Sequence, residues 1–430
     1  MLAYFLYLTL LVSYFLHLTS RFPILAQIRF DLILTGLVFL FTLLGGNSSA
    51  PKLRQPNPTT RLLYMIGYIL LSIPFVYWPG SVIRYGLEGL LKVIIFYFFT
   101  VLLLTTEQRL KTFTRVFLLC QLFRILEPTY LHVTQGYWGS SAHTRGLGIE
   151  FSLDRLSGAP HDVINPNQLG WLIITTSIYL YFLYWVKRSI VPRLCALALV
   201  LVCLYALLLT GSRSSLLTVF VTIAIAVHLR YRRASRLLVA AALVLLVTAV
   251  VANHLTPELT DRYLSLYDRS RPGGSTAQGR IDSLYSGFAN ILSNPIFGHG
   301  VGTSPELSGY LRDAKPQPTH NLYLETLEEV GIVGLILFLL YIREVIRAIR
   351  TAAIHCRSSD RRNSFLANVI TATHTWILMH LFYSIAIFGL NSWEWYFFGG
   401  LSTACLALAA RAGSTTAAPP QLVPAVGQTR

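Results

Sequence analysis

Charge is scarce in this chain. Only 13% of its 430 residues are Asp, Glu, Lys or Arg, about half the roughly 25% usual in soluble domains. Hydrophobic residues make up 54% and the mean hydropathy is +0.55. An ordinary soluble globule is excluded. Cysteine is scarce too, with five in all. Cys120, Cys195, Cys203 and Cys405 fall in apolar runs and Cys356 in a basic loop. The polar loops on the opposite side hold none, which argues against a disulfide framework there. There is no His-Glu-x-x-His, no cysteine cluster and no Walker-type phosphate loop. Nor do the long polar loops hold an Asp-x-Asp pair that might fix a divalent ion beside a phosphate. No metal and no cofactor are therefore expected. The absence of an internal repeat argues against the repeated halves common in transporters.

What is present is apolar and long. A membrane span needs about 20 mostly apolar residues. Candidates lie near residues 2–18, 28–45, 62–79, 87–105, 110–126, 168–186, 194–210, 215–229, 236–252, 322–341, 365–388 and 394–410. The runs are continuous rather than alternating, so they read as helices rather than barrel strands. The expected fold is an all-α polytopic membrane protein with about 12 transmembrane helices. The N-terminus has no basic leader segment, so residues 2–18 read as a retained span.

The net charge is +16. In a soluble protein that would point to nucleic acid; here its placement points elsewhere. Basic residues crowd alternate short loops: Lys52, Arg54 and Arg61, then Arg109 and Lys111, Lys187, Arg188 and Arg193, the run from Arg230 to Arg236, and Arg343 to Arg362. The opposite short loops hold only Arg21, Arg84, Arg213 and the membrane-edge Arg29. Positive loops stay cytoplasmic, so both termini are expected inside.

Two loops on the outer side are long, near 127–167 and 253–321. Unstructured loops of that length are usually functional. The predicted organisation is thus nine helices over 1–252 with the first long loop among them, the large loop 253–321, three helices over 322–411, and a disordered tail, 412–430, rich in Ala, Pro and Thr. Within the large loop Ile281, Leu284, Phe288, Ile291 and Leu292 recur at helical spacing. Asn294-Pro295 ends that stripe. Such a helix would lie on the membrane face or on other helices.

The chemistry-bearing residues cluster on the same side. His320 stands at the start of the 322–341 span, where free N–H groups and the helix dipole favour a neutral imidazole and attract anions. A neutral imidazole is what a general base needs near pH 7. Asn321 can cap that helix. The same pair could simply mark a membrane boundary. Arg213 lies in the turn Thr210-Gly211-Ser212-Arg213-Ser214-Ser215, where small neighbours let a ligand approach. Guanidinium recognises phosphate with paired donors, but an arginine there can also snorkel to the interface. Arg280 opens the amphipathic segment, and the turn Gly298-His299-Gly300-Val301-Gly302 follows it. Arg145 and Arg155 lie in the first long loop, and Arg84 at the outer end of its span. Together these arginines could form a cationic pocket for a pyrophosphate. His299 competes with His320 as a base but lacks the helix-end setting. Asn165-Pro166-Asn167 reads best as a helix cap. Lys92, Arg124, His374 and His380 interrupt apolar stretches and either line a cavity or pair inside the bundle.

Taken in order, these pieces are similar to a known pattern. An arginine before an aromatic-rich helix is followed by Asn-Pro-x-x-Gly-x-Gly-x-Gly, then His-Asn-x-Tyr-Leu-Glu and Gly-Ile-Val-Gly, all within residues 279–334. With Gly211-Ser212-Arg213-Ser214 and Asn165-Pro166-Asn167, the chain resembles the O-antigen ligase and polymerase superfamily of bacterial inner-membrane glycosyltransferases. The resemblance implies a metal-independent, inverting enzyme with its active site on the periplasmic side. Its donor would be a glycan on undecaprenyl pyrophosphate. For a ligase the acceptor would be a lipid A–core sugar in lipopolysaccharide biosynthesis. His320 would take the acceptor proton, and Arg213 and Arg280 would bind the pyrophosphate. Arg145, Arg84, Arg155, Asn321 and Gly300 would assist in binding substrate. Membrane lipids are further partners, and nucleic acid is not one.

Ligase ranks ahead of the other members. Some polymerases carry repeated Arg-x10-Gly motifs, and here only Arg262 to Gly273 has that spacing. A protein O-oligosaccharyltransferase often has a larger outer C-terminal region, which this sequence lacks. A lipid-linked sugar transporter would place functional charges deep in the bundle in pseudo-symmetric halves.

Overall fold

The computed structural model describes residues 1–45, 56–139, 155–185, 189–230, 257–264, 268, 284–285, 287–304, 306–307, 321–358, 364–387 and 389–414. Every regular element among them is helical. The main helices are α1 (Leu2–Leu16), α2 (Phe30–Leu44), α3 (Pro58–Ser72), α4 (Leu87–Leu103), α5 (Glu107–Gln135), α6 (Pro166–Leu180), α7 (Ile190–Leu209), α8 (Arg213–Arg230), α9 (Pro257–Leu264), α10 (Leu322–Ser358), α11 (Phe365–Tyr383) and α12 (Glu394–Ser414). The run expected at 236–252 lies outside the described residues, as do His320, Arg280, Arg145 and the tail after Ser414.

Local signals start and stop these helices. Asn57, Thr106 and Ser364 each accept a backbone N–H from the first turn of α3, α5 and α11, satisfying donors with no partner inside the helix. Pro58 and Pro166 occupy first-turn positions, where a missing N–H costs nothing. Helix α5 runs past the expected loop start near 127. It tolerates Pro128 and ends at Gly136, whose positive φ closes the last turn. The amphipathic segment is helical at 284–285 and 287–291 and stops just before Asn294-Pro295.

Among the described residues, four helical stretches are both long and apolar enough to cross a bilayer: Pro79–Leu103, Glu107–Gln135, Ile190–Leu209 and Phe365–Tyr383. The expected count of about 12 is thus not confirmed among the described residues. Helices α1, α2 and α3 have 15 residues each, about 22 Å at 1.5 Å per residue, against about 30 Å of hydrocarbon, whereas α6 runs on through a π-helical turn at Tyr181–Trp185. Helix α10 is long, but it is broken at Gly331 and carries Glu325, Glu328 and Glu329 in its first turns. Large apolar side chains still cover much of the outside, among them Leu32, Phe39, Leu43, Leu44, Leu71 and Ile190. A water-soluble monomer rarely exposes so much contiguous apolar surface. With the hydropathy of the helices, this defines a helical membrane protein.

Helix α12 packs between α4 and α10. The approach is close because Gly399 and Gly400 face it: a Cβ on Gly399 would lie 2.0 Å from the Tyr341 hydroxyl, and one on Gly400 2.8 Å from the Tyr97 carbonyl. Aromatic side chains fill the centre. Trp376 stacks on Phe398 at 3.5 Å, and Phe117 packs on Phe397 at 5.0 Å. Helices α6, α8 and α11 form the other side of the bundle. There α6 and α8 nearly touch, since a Cβ on Gly170 would meet Ser215 Oγ at 2.3 Å.

Candidate active site

Three polar motifs meet at the end of α11. Asn165 caps α6 in a reciprocal box: its side chain accepts from Asn167 and Gln168 N–H, and Gln168 Oε1 accepts the Asn165 N–H. The turn between α7 and α8 is held by its own hydroxyls. Thr210 Oγ1 accepts from Ser212 N–H, and Ser212 Oγ accepts from Ser215 N–H, capping α8 where Arg213 begins it. Arg155 joins the two motifs. Its Nε donates to the Thr210 carbonyl at 2.8 Å and its Nη2 to Asn167 Oδ1 at 3.2 Å. A backbone bond from Leu156 N–H to the Leu209 carbonyl at 2.9 Å runs alongside.

Tyr383, the last residue of α11, completes this junction. Its hydroxyl donates to the Asn167 carbonyl at 2.7 Å and lies 3.4 Å from Ser215 Oγ. The next residue links the junction to α10, because the Ser384 carbonyl accepts the Leu322 N–H at 3.0 Å. One residue earlier, Asn321 caps α10 by accepting from Tyr323 and Leu324 N–H, as the sequence led us to expect. Arg155, Asn167, the Arg213 turn and the Asn321 cap are therefore tied to one helix end. Arg213 itself is half-buried at the start of α8.

Gly300 and Arg84 belong to a second cluster, around the break in α10. Gly331 sits at φ 65°, ψ −174°, and this interrupts the helical ladder. Ile332 N–H goes to the Pro295 carbonyl instead of its normal acceptor on Glu328. The carbonyls released are taken up from outside. Glu328 O accepts from His299 N–H at 2.9 Å, Glu329 O from Gly300 N–H at 2.8 Å, and Val330 O from the Tyr68 hydroxyl at 3.0 Å. The glycine turn thus plugs the broken helix, satisfying buried groups that would otherwise be costly. Gly300, at φ 119°, packs so tightly that a Cβ would lie 2.3 Å from Val82 Cγ2. Its N–H is committed to Glu329. Arg84 lies on the adjoining Val82–Gly86 turn with its side chain exposed.

His299 is a strut in this plug. It is buried, its Nδ1 lies 3.1 Å from the Glu328 carbonyl, and its Nε2 lies 2.8 Å from Ser293 Oγ. Both ring nitrogens are engaged. Burial pushes its pKa below the usual histidine range, against an opposing pull from the Glu328 carbonyl. The other polar residues in apolar stretches divide similarly. Arg124 pairs with Asp162, His380 Nδ1 accepts from Trp171 Nε1 at 3.1 Å, and Lys92 pairs with Glu88 on the surface.

The sequence reading missed the carboxylates of α10. Glu325 accepts from Gly389 N–H, Glu328 from Asn290 Nδ2 at 3.3 Å, and Glu329 from Ser304 N–H at 3.3 Å. Each pins a different stretch of chain to the same two helical turns. Three acidic residues inside an apolar run were a legible signal, since such groups are functional or structural by default. Tyr383 carried no such signal. Among the described residues no group of His, Cys, Asp or Glu side chains is placed to hold a metal ion.

The helical bundle gathers its polar motifs at one end of α11, and a family comparison bears on what they do. Residues 198–339 match a family model described as O-antigen ligase. That stretch covers the second half of α7, the Arg213 turn, α8, the glycine turn and the start of α10 with its break. It supports the O-antigen ligase family for this chain, within the O-antigen ligase/polymerase superfamily, and with it a glycosyltransferase-like enzyme of lipid-linked glycans. No curated protein matches the chain.

Proposed function

We propose that the protein is an O-antigen ligase. It transfers a glycan from undecaprenyl pyrophosphate to a hydroxyl of a lipid A–core sugar, on the periplasmic side of the bacterial inner membrane. The basic cytoplasmic loops put both termini inside, and the polar motifs on the outer side. The acceptor oxygen attacks the anomeric carbon as the bond to the pyrophosphate oxygen breaks. The acceptor proton passes to His320, and the configuration at the anomeric carbon inverts. Arg213 and Arg280 bind the departing pyrophosphate and stabilise its developing charge. Cleavage of that linkage supplies the driving force, so neither a metal nor ATP is called for.

The observation that carries this reading is the junction at the end of α11. It links Arg213's turn, through Tyr383 and Ser384, to the residues that directly follow His320 in the chain. An anion-binding arginine and a base must be held in fixed relation for such a displacement.

The test is the lipopolysaccharide profile of a deletion strain complemented with variants. Loss of the gene should leave bare lipid A–core while long glycan accumulates on undecaprenyl pyrophosphate. His320→Ala should reproduce that loss by orders of magnitude at normal protein level, and Arg213→Ala and Arg280→Ala should weaken donor use. Lipid A–core carrying a single repeat would mean polymerase. Normal transfer by His320→Ala would remove the proposed base.

A further inference from the structure

The end of α11 is more than a packing contact. Tyr383 and Ser384 are both buried, at 1% and 0% exposure. Four hydrogen bonds leave this end for three separate segments. Tyr383 Oη donates to the Asn167 carbonyl at 2.7 Å. With its one proton committed there, Tyr383 can only accept from Ser215, whose Oγ is 3.4 Å away in the first turn of α8. On the other flank the Ser384 carbonyl accepts from Leu322 N–H at 3.0 Å, and the Leu381 carbonyl accepts from the Tyr323 hydroxyl at 2.9 Å. The first pair holds the helix that Arg213 begins and the cap that Arg155 grips. The second pair holds the first two residues of α10.

This end of α11 is itself braced. Trp171 of α6 donates to His380 Nδ1 at 3.1 Å, and the His380 ring stacks on Trp376 at 4.5 Å. Ser384 Oγ donates back to the His380 carbonyl at 2.7 Å. A braced helix end gripping two segments fixes their separation. In a displacement reaction that separation matters twice, because the leaving group and the acceptor proton are handled from opposite sides.

We propose that Tyr383 is a positioning residue for glycan transfer: its hydroxyl sets the Arg213-bearing turn relative to the α10 start that follows His320. It touches neither substrate nor reacting atoms. This rests on the functional reading above. Its loss should leave donor binding intact and spoil alignment, so it should appear in kcat rather than KM.

The experiment uses the full chain in lipid nanodiscs, with undecaprenyl-pyrophosphate-linked glycan as donor and lipid A–core as acceptor. Tyr383→Phe keeps the buried ring and removes only the hydroxyl. Its kcat should fall about 10- to 100-fold while the donor KM stays within about twofold. The melting temperature and the folded fraction by size exclusion should stay near those of the wild type. Tyr383→Phe and Arg213→Ala should also be non-additive, since a misplaced turn has little left to lose. A kcat within about twofold of wild type overturns the inference, as does a fall that only tracks lost folded protein. So does full additivity with Arg213→Ala. His320→Ala is run in parallel. If it transfers normally, the functional reading fails and the inference with it. If it is inactive while Tyr383→Phe is normal, the inference alone fails.

Discussion

Arg124 grips Asp162 with two parallel hydrogen bonds, Nε to Oδ2 at 2.6 Å and Nη2 to Oδ1 at 3.0 Å. The pair is almost wholly buried, at 7% and 1% side-chain exposure, and His17 Nε2 lies 3.2 Å from the same carboxylate. It fastens the segment that carries Arg155 to α5 and to the end of α1.

That geometry makes a pH prediction. Burial alone would raise the Asp162 pKa, but hydrogen bonds from His17 and Arg124, with the Arg124 charge, outweigh it and hold the carboxyl down at about 2. A depressed carboxyl contributes stability above its unfolded pKa, about 3.9, and loses it as pH falls through the folded value. The wild type should therefore lose thermal stability between about pH 4 and pH 2, in a step absent from Asp162→Asn. At neutral pH Asp162→Asn strands a buried guanidinium and should cost about 3–5 kcal/mol. Melting curves in nanodiscs against pH read both effects. Identical curves for the two proteins would dismiss the pair as a stabilising element.

Arg155 ties two segments together. The sequence offered it as one of several arginines that would bind substrate. The structure shows its Nε on the Thr210 carbonyl and its Nη2 on Asn167. Arg155→Ala would leave the buried Thr210 carbonyl without that donor, a loss of about 1–3 kcal/mol. It should lower the melting temperature and the amount of folded protein as well as transfer. Arg213→Ala should lower transfer well beyond any loss of folded protein. Equal stability of Arg155→Ala and wild type, with donor binding alone impaired, would return Arg155 to the substrate pocket.

The helical class, the capping signals and the approximate placement of most apolar runs could be read from the sequence, because caps and long apolar runs are local. Asn165-Pro166-Asn167 read as a cap, and it is one. The end of α5 did not read correctly: the loop was expected from about 127, but the helix runs through Pro128 and closes at Gly136. The α10 break was hidden for a different reason. Gly331 only makes sense beside Pro295 and the 298–302 turn, which supply the partners its backbone releases. His299 is buried with both ring nitrogens engaged, by the Glu328 carbonyl and Ser293, which no local pattern announced, while His320 lies outside the described residues. Tyr383 was out of reach because nothing in a terminal tyrosine of an apolar helix announces contacts 168 and 216 positions away.

The break at Gly331 makes the last prediction. At φ 65°, ψ −174° its backbone occupies a region almost restricted to glycine. Space is closed as well: a Cβ would lie 2.1 Å from the Ile296 carbonyl oxygen and 2.4 Å from its carbon, both backbone atoms that cannot swing aside. Gly331→Ala must therefore either straighten α10 or push the Pro295–Gly298 segment outward. Straightening returns Ile332 N–H to Glu328 O and evicts His299 from it. Pushing outward breaks the bonds from His299 and Gly300 to the same helix. Either way the plug is lost, and with it the link from α10 to the amphipathic segment that Arg280 precedes. Gly331→Ala should cost several kcal/mol and reduce folded protein sharply. Gly36→Ala, in α2 with open space around its Cβ, should do neither and serves as the control. Size-exclusion profiles and melting temperatures of the two variants, measured side by side, decide the matter. A Gly331→Ala protein as stable as Gly36→Ala would mean that the break does not hold the glycine turn in place.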